Sequence, residues 1–398
     1  MPRDYNLLLA DLQDRFDVID DRLSADEIEL TVVKASPYGI CPWCGHASDS
    51  IHQTTPRRVT DCPIGRRKVT LLIYKRRFRC PHCGKVFTEA FGDIAPRGRW
   101  TRRYEGMVYE HAKTTCLIET SRAFGIAYTT FRRLWFRKAG QELEKREAVY
   151  PRIMGIDEFS VAKRHRYHTV MTDIERHRVF DAVPGRDSEG VRSRLVEIPQ
   201  GKRPGVFVID LWRPYVKAIR GVCPDAEIVA DRFHVTRLVN LALDRVRKGE
   251  QKGLRSGERN LVFGVRYLLL TGGEKLDVGK RERLKEALGL SMRLAEGYRL
   301  KEGLREIYNR YQSVQDYPQA CAALRAWCDA ALVSNLAPFE KTAKTLLRWF
   351  VEVTNYLKYR VTNGYTEGIN NKIKLDKRRA YGYRNFDNQR MRILTGCA

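Results

Sequence analysis

The chain has 398 residues, of which 73 are Lys or Arg and 48 are Asp or Glu, so its formal net charge is +25 at pH 7. Hydrophobic residues make up 43% and aromatic residues 10%, which excludes an intrinsically disordered chain, and the length favours several folded units. The positive excess favours a polyanionic partner such as nucleic acid. Because there is no long apolar run and no signal-peptide pattern, we expect a cytoplasmic location and no membrane partner.

The hydrophobic pattern predicts a multidomain α/β protein. Strand-like sequence at Glu27–Val33 and Val69–Tyr74 precedes Pro96 and Gly98, which we interpret as part of a linker. Helical sequence follows the linker, and helical periodicity returns over residues 235–360. Between the two helical regions, three predicted strands are followed by one helix and two further strands, which is an α/β pattern.

Two Cys-x-x-Cys pairs lie in the strand-rich region, Cys41 with Cys44 and Cys80 with Cys83, and each pair is followed by a glycine. In a reducing compartment this spacing favours a metal over disulfides, and four thiolates complete a closed structural Zn²⁺ site. A module with so small a core gains folding free energy from the metal. The residues that remain open as alternative ligands or neighbours are His46, His52, Cys62 and His82.

The first helical region contains a candidate helix-turn-helix. A helix at Glu119–Phe124 precedes a turn at Gly125, and a second helix at Thr129–Arg137 is predicted to begin with Thr129 or Thr130 as its cap. Its apolar face can pack while its basic face enters a DNA groove, although a helical hairpin with only a structural role has the same pattern. The cations predicted to contact DNA are Arg132, Arg133, Arg137 and Lys138.

Two aspartates follow apolar strands of the α/β region. Asp157 comes at the end of its predicted strand, directly after Arg152–Ile156, and Asp210 comes directly after Val206–Ile209. Carboxylates at strand ends meet at the rim of a sheet, and two that lie close together repel each other unless a cation lies between them. Mg²⁺ or Mn²⁺ suits such a site, where a pair of ions can promote in-line phosphoryl transfer. The other predicted elements are Tyr167–Asp173, Val179–Val183, the helix Ser188–Glu197, and Glu227–Ala230.

A third carboxylate, Glu367, lies in a polar helix near the C-terminal end of the sequence. Asn370, Asn371 and Lys374 fall on the same helical face, so this face can meet both a metal ion and DNA. A solvated surface helix would have the same spacing.

A separate element begins at Asp231, which follows the strand Glu227–Ala230 and opens a helix that carries His234. Asp231 can serve only as the helix cap, and His234 only as a packed core residue. The alternative is that both support the metal site or the DNA strand that is cut.

Taken together, these residues resemble the DDE transposases of bacterial insertion sequences, in particular the ISL3 group. The resemblance covers nearly the whole chain. The motifs that carry it, besides the cysteine pairs and the helix-turn-helix, are Gly155–Glu158, Asp210–Tyr215, Asp231–His234, Glu367–Lys374 and Arg378–Asn385.

The resemblance implies a ribonuclease H-like core that is interrupted by a helical insertion. The catalytic, metal-binding residues would be Asp157, Asp210 and Glu367. The predicted segments are an N-terminal segment (1–35), a zinc-binding module (36–95), a helix-turn-helix domain (100–148), the first part of the core (149–235), the insertion (236–360), and the remainder of the core with a basic tail (361–398). The predicted accessory residues are Asp231, His234, Asn370 and Lys374, and the further DNA-contacting residues are Lys372, Arg378 and Arg379.

The sequence therefore predicts a nucleoid-associated bacterial enzyme that binds terminal inverted repeats, cuts double-stranded DNA and joins it to a target. A homodimer or higher oligomer on DNA is expected. Two other classes remain: a transcription regulator, which leaves the carboxylates without a role, and a ribonuclease H-like nuclease, which needs no joining activity. An assay for strand joining separates both from a transposase.

Overall fold

The computed structural model describes Leu9 and residues 11–95, 97–162 and 166–397. Pro96 of the predicted linker and most of the first ten residues of the predicted N-terminal segment lie outside the described residues. The chain divides into two compact units, Met1–Glu142 and Leu143–Ala398. Within the described part, no helix has the length and apolar character needed to cross a membrane.

The first unit is built on a five-stranded sheet with the order β1-β2-β6-β5, and β7 pairs with the end of β6. Alternate residues of β2 are buried, among them Leu30 and Val32, and they pack against Leu71 and Ile73 of β6. Both predicted strands are confirmed within longer ones. The strands are β1 (Phe16–Leu23), β2 (Glu27–Lys34), β3 (Gly39–Ile40), β4 (Ala47–Ser48), β5 (Ile51–Ile64), β6 (Arg67–Arg79) and β7 (Val86–Thr88).

Three helices follow this sheet: α1 (Arg102–Thr114), α2 (Leu117–Ala123) and α3 (Tyr128–Lys145). Gly125 has a φ of +60°, so the predicted turn after the first helix of the pair is confirmed. The predicted cap of the second helix is wrong. Because the carbonyl of Ala127 already accepts hydrogen bonds from the next turn, Thr129 and Thr130 lie inside α3.

The second unit contains a five-stranded sheet with the order β10-β9-β8-β11-β12. The pairs β10–β9 and β9–β8 are antiparallel, whereas β11 is parallel to both β8 and β12. The predicted strands are confirmed in this sheet, two of them to the residue. The elements are β8 (Ile153–Ala162), β9 (Arg166–Asp173), β10 (Arg178–Pro184), α4 (Ser188–Val196), β11 (Val206–Ile209), α5 (Arg213–Arg220) and β12 (Glu227–Ala230).

The prediction that Asp157 ends its strand is wrong. The parallel pairing of β8 with β11 stops at Ile156 and Ile209, but the antiparallel pairing with β9 continues through Asp157 and Phe159. Asp157 therefore lies where the parallel part of β8 ends and its two-stranded extension begins. Asp157 still lies next to the carboxyl end of the neighbouring parallel strand β11.

A long helical region follows β12, as predicted. Its helices bury Leu243, Leu300 and Phe339 in one continuous core that also includes the sheet residues Phe207 and Ile228. The helices are α6 (Arg232–Gln251), α7 (Ser256–Gly264), α8 (Arg266–Leu270), α9 (Val278–Gly289), α10 (Met292–Arg310), α11 (Tyr317–Leu332), α12 (Ala337–Arg348) and α13 (Phe350–Tyr359).

The chain then returns to the sheet through α14 (Gly364–Arg379), which is followed by α15 (Phe386–Gly396). Ile369 and Ile373 of α14 are buried together with Phe159 and Val170 of β8 and β9. This packing holds the helix that carries Glu367 against the sheet.

Candidate functional site

Three aspartates lie side by side in the second sheet, at the end of the parallel pairing between β8, β11 and β12. Ile156 pairs with Ile209, and Ile209 pairs with Ala230 in the parallel register. The next residue along each chain segment is an aspartate, so Asp157, Asp210 and Asp231 form a row across three adjacent strands. The amide of Asp231 also donates to the carbonyl of Ile209 at 2.8 Å, which extends the ladder by one residue.

The central carboxylate of this row is poorly compensated. Burial, together with the charges of Asp157 and Glu158, raises the pKa of Asp210 to about 7. Its Oδ1 atom is buried and has no hydrogen-bond partner among the described residues. Burial also raises the pKa of Asp157. An unpartnered carboxylate oxygen beside a second carboxylate fits a site for a hard divalent cation, whose charge would offset the repulsion.

Besides Asp157, Glu158 also contributes negative charge near Asp210. No role for Glu158 was predicted from the sequence. The Arg186 guanidinium lies 3.5 Å from its carboxylate oxygens and is held over the rings of Tyr167 and Trp212, at 4.6 Å from each centroid. The only local signal was that Glu158 directly follows Asp157. Arg186 gave no signal, because its contacts join distant parts of the sequence.

Helix α14 contacts the row of aspartates through asparagines. Asn370 donates to Oδ2 of Asp157 at 2.7 Å and to the carbonyl of Glu158 at 3.2 Å. Asn363, just before the helix, donates from its side chain to the carbonyl of Ile156 at 3.1 Å. The predicted accessory residue Asn370 therefore lies at the site, and Asn363 is a neighbour that the sequence did not reveal.

Glycine at position 155 permits this close approach of α14 to β8. A Cβ atom there would lie 2.4 Å from Oδ1 of Asn363, 2.4 Å from Oγ1 of Thr366 and 2.7 Å from Oγ1 of Thr172. Any side chain would collide with these groups.

Glu367 is exposed on α14, and its charge contributes to the raised pKa of Asp231, whose main cause is burial. The positive charge that His234 can carry lowers the pKa values of both Asp157 and Asp231 and so opposes the effect of burial. Among the described residues, however, Asp157, Asp210 and Glu367 are not a set whose ligand atoms all lie within 4.8 Å of one another. Asp157 and Asp210 thus lie where the parallel pairing of adjacent strands ends, whereas Glu367 lies on the helix packed against β8 and does not complete a compact ligand set with them among the described residues.

The other predicted residues of α14 have exposed side chains. They follow the acidic site along the helix, and their contact with DNA stays a prediction. These residues are Lys372, Lys374, Arg378 and Arg379.

The four cysteines form the second cluster, in the first unit. The Sγ atoms of Cys41 and Cys83 are 3.7 Å apart, those of Cys44 and Cys80 are 3.5 Å apart, and all four lie within 4.8 Å of one another. Zn–S bonds of about 2.3 Å in a tetrahedron require S···S distances of about 3.8 Å, so the cluster fits a zinc ion. The positive φ of the glycine after each pair supports the predicted turn.

The alternative ligands are placed around this cluster. His46 and His82 stack at 3.9 Å between ring centroids and, with Cys44, form a second group of ligand atoms within 4.8 Å. Cys62 belongs to neither group. Four sulfurs at tetrahedral spacing favour the all-cysteine set.

Zinc should therefore contribute to folding of this module. We expect Cys80→Ser to lower the zinc content from about one ion per chain and to unfold the region around β3 and β4, because three thiolates no longer close the tetrahedron. Cys62→Ser is the matched control and should retain zinc. Metal analysis and proteolysis of the purified proteins measure both effects, and full zinc in the Cys80→Ser protein would contradict this ligand set.

The basic helix α3 is amphipathic, as predicted. Phe131, Leu134 and Trp135 are buried, whereas Arg132 and Arg133 are exposed. The remaining cations differ in their surroundings. Arg137 forms an ion pair with Glu105 at 2.7 Å, and Lys138 is half-buried.

Comparison with known proteins finds one matching family model within each of the two units. Residues 154–393 match the family model of the ISL3 transposases, described as "Transposase", and residues 37–83 match the "zinc-finger of transposase IS204/IS1001/IS1096/IS1165". The chain is 31% identical over 352 residues to the transposase for insertion sequence element IS1001 of Bordetella parapertussis, which covers 87% of this chain and 85% of that protein. It is 26% identical over 321 residues to the transposase for insertion sequence element IS1557 of Mycobacterium tuberculosis, and this match covers 72% of this chain and 70% of that protein.

Proposed function

Because the chain belongs to the ISL3 family of insertion-sequence transposases, and is thus a DNA-binding enzyme of DNA transposition, we propose that it cuts and joins DNA with Asp157, Asp210 and Glu367. The observation that carries the proposal is the buried Oδ1 of Asp210, which has no hydrogen-bond partner in the described part of the chain. Asp210 directly follows the strand that pairs with the strand of Asp157. A cation-binding carboxylate pair at a sheet edge is what phosphoryl transfer requires.

The proposed core is of the ribonuclease H-like type. Three antiparallel strands followed by two parallel ones, with the helix of Glu367 packed on β8, support this interpretation. The helices between β12 and α14 would then be the insertion. Asn370 and Asn363 anchor α14 to β8, which supports the proposal that Glu367, carried by the same helix, belongs to the site of Asp157.

In the proposed mechanism, Mg²⁺ or Mn²⁺ ions, when bound, would activate the attacking oxygen and stabilise the leaving oxygen. Asp157 and Asp210 would hold these ions, and Glu367 would complete the coordination of one of them. Asn370 fixes the orientation of the Asp157 carboxylate by donating to Oδ2. Asp231 and His234 would assist at the scissile strand. Water would attack a phosphodiester at the end of the element, breaking its P–O3′ bond and releasing a 3′-hydroxyl. That hydroxyl would then attack a phosphodiester of the target DNA and displace the 3′-oxygen of the target strand.

The first unit would recognise the terminal inverted repeats of the element. The zinc module would provide a stable platform, and α3 would act as the recognition helix of a helix-turn-helix, with Arg132 and Arg133 facing DNA. Since an element has two ends, a homodimer or higher oligomer on DNA would hold both.

A strand-joining assay tests the proposal. Labelled duplexes that end in the element's terminal repeat are incubated with Mg²⁺ or Mn²⁺ and a target plasmid. We expect specific nicking at the repeat end, followed by covalent joining of that end to the plasmid. Cleavage without joining would favour a nuclease, and repeat binding without any cleavage would favour a transcription regulator.

A further inference from the structure

A basic cleft of about 420 Å³ lies in the first unit between α3 and the segment Arg97–Trp100, which we call the arm. Arg97 and Arg99 line it from the arm, and Arg133 and Arg137 line it from α3. Basic residues from two separate segments thus surround one concave surface. The sequence interpretation treated the arm as part of a linker.

The backbone of the arm is fixed to the sheet of the same unit. The Arg57 guanidinium donates to the carbonyl of Ala95 at 2.8 Å and to that of Gly98. The amide of Thr60 donates to the carbonyl of Arg99 at 2.9 Å. Strand β5 therefore holds the backbone of the arm in place before any partner binds, which lowers the entropy that binding would cost.

The charges around the cleft are only partly compensated within the protein. Glu105 lines the cleft and neutralises Arg137. Arg97, Arg99 and Arg133 are exposed, and no described residue forms an ion pair or hydrogen bond with their guanidinium groups. Three unpaired guanidinium groups around one cleft favour a polyanion.

We propose that the arm is a second DNA-reading element that inserts Arg97 and Arg99 into the minor groove next to the groove entered by α3. This rests on the proposed recognition of DNA by α3. Arginine is favoured in a narrow minor groove because its guanidinium is weakly hydrated and the groove has a strongly negative potential. A helix in the major groove combined with an arginine arm in the adjacent minor groove is a known arrangement for DNA-binding domains.

Gly98 between the two arginines fits this role. A Cβ atom there would lie 3.1 Å from Cβ of Ala95 and 3.3 Å from its backbone nitrogen and oxygen, so a side chain would require the arm or Ala95 to shift by a few tenths of an ångström. Glycine therefore lets the arm pack closely on Ala95.

The test compares Arg97→Ala/Arg99→Ala with a matched double variant, Arg22→Ala/Arg66→Ala, which removes two exposed arginines of the same unit outside the cleft. Binding to the terminal-repeat duplex is measured together with dimethyl sulfate protection, which reports adenine N3 in the minor groove and guanine N7 in the major groove. We expect the arm variant to bind about tenfold to a hundredfold more weakly and to lose adenine N3 protection while keeping guanine N7 protection. The control should retain both protections.

Three outcomes would overturn the arm proposal. The first is unchanged adenine N3 protection in the arm variant, and the second is an equal loss of affinity in the control. The third is full recovery of affinity by Arg97→Lys/Arg99→Lys while adenine N3 protection stays lost, because this variant keeps the charge and the result would indicate phosphate contact alone. If the unaltered protein does not prefer the terminal repeat over an unrelated duplex, end recognition by the first unit fails, and the arm proposal fails with it.

Discussion

The Asp210→Asn protein is expected to lose cleavage and strand joining while it retains its fold and its binding to terminal-repeat DNA. The substitution keeps the size of the side chain but removes the negative charge, and hard divalent cations bind neutral amides much less well than carboxylates. Without bound cations, nothing offsets the charge that develops on the phosphoryl oxygens, and removal of such stabilisation costs about a hundredfold to a thousandfold or more. Cleavage of labelled repeat DNA in Mg²⁺ measures the effect.

Asp157→Asn and Glu367→Gln should have the same consequence, and double variants should not be additive because one missing ligand already disables a shared centre. Asp225→Asn is a matched control, since this exposed aspartate lies before β12 and away from the row of three. Normal cleavage by the Glu367→Gln protein would remove Glu367 from the site while leaving the aspartate pair intact. Asp231→Asn should have a milder effect.

The pH dependence of stability gives an independent measurement on the metal-free protein. The pKa of Asp210 is raised from its ordinary value of 3.8 to about 7 in the folded protein. The folded state therefore binds more protons than the unfolded state between these values, and stability falls as pH rises through that window. Above pH 7 the penalty is fully present, so Asp210→Asn should unfold at a higher temperature than the unaltered protein. Below pH 4 this advantage should vanish.

How far the sequence predicts the fold depends on whether the signal is local. Val206–Ile209 and Glu227–Ala230 were predicted to the residue, because short apolar runs bounded by polar residues define buried strands. The extension of β8 beyond Asp157 was not, because its polar residues pair with β9, and that pairing is not visible in β8 itself. The start of α3 was missed for a related reason, since a backbone carbonyl rather than a threonine hydroxyl begins the helix.

The candidate site divides in the same way. Asp157 and Asp210 were predicted because each follows an apolar strand, and Glu367 because its helix has a polar face; their catalytic role stays a prediction. Asn363 and Arg186 were not found, since their importance arises from contacts with residues far away in the sequence. The cysteine set was predictable because the spacing within each pair already determines the geometry of a metal knuckle.

Gly155 provides the most stringent test of how α14 is placed. Gly155→Ala should sharply reduce cleavage, because the added methyl group would lie 2.4 Å from side-chain oxygens of Asn363 and Thr366 and would force α14 away from β8. Overpacking of this kind costs about 1–3 kcal/mol of unfolding free energy. Displacement of α14 would also break the contact of Asn370 with Asp157 and move Glu367 away from the aspartates.

The matched control is Gly249→Ala, an exposed glycine in α6 of the same unit whose added Cβ would have nothing within 4 Å. It should leave cleavage unchanged and raise the unfolding free energy by up to about 1 kcal/mol, because alanine is the better helix former. Thermal unfolding and repeat cleavage are measured on both proteins, with repeat binding as the check that the first unit remains intact. A Gly155→Ala protein with normal cleavage would show that α14 need not lie so close to β8, and the assignment of Glu367 to the site would lose its structural basis. If the Gly155→Ala protein instead folds and binds repeats but no longer cleaves, the result would indicate that close packing at Gly155 is needed to position Glu367.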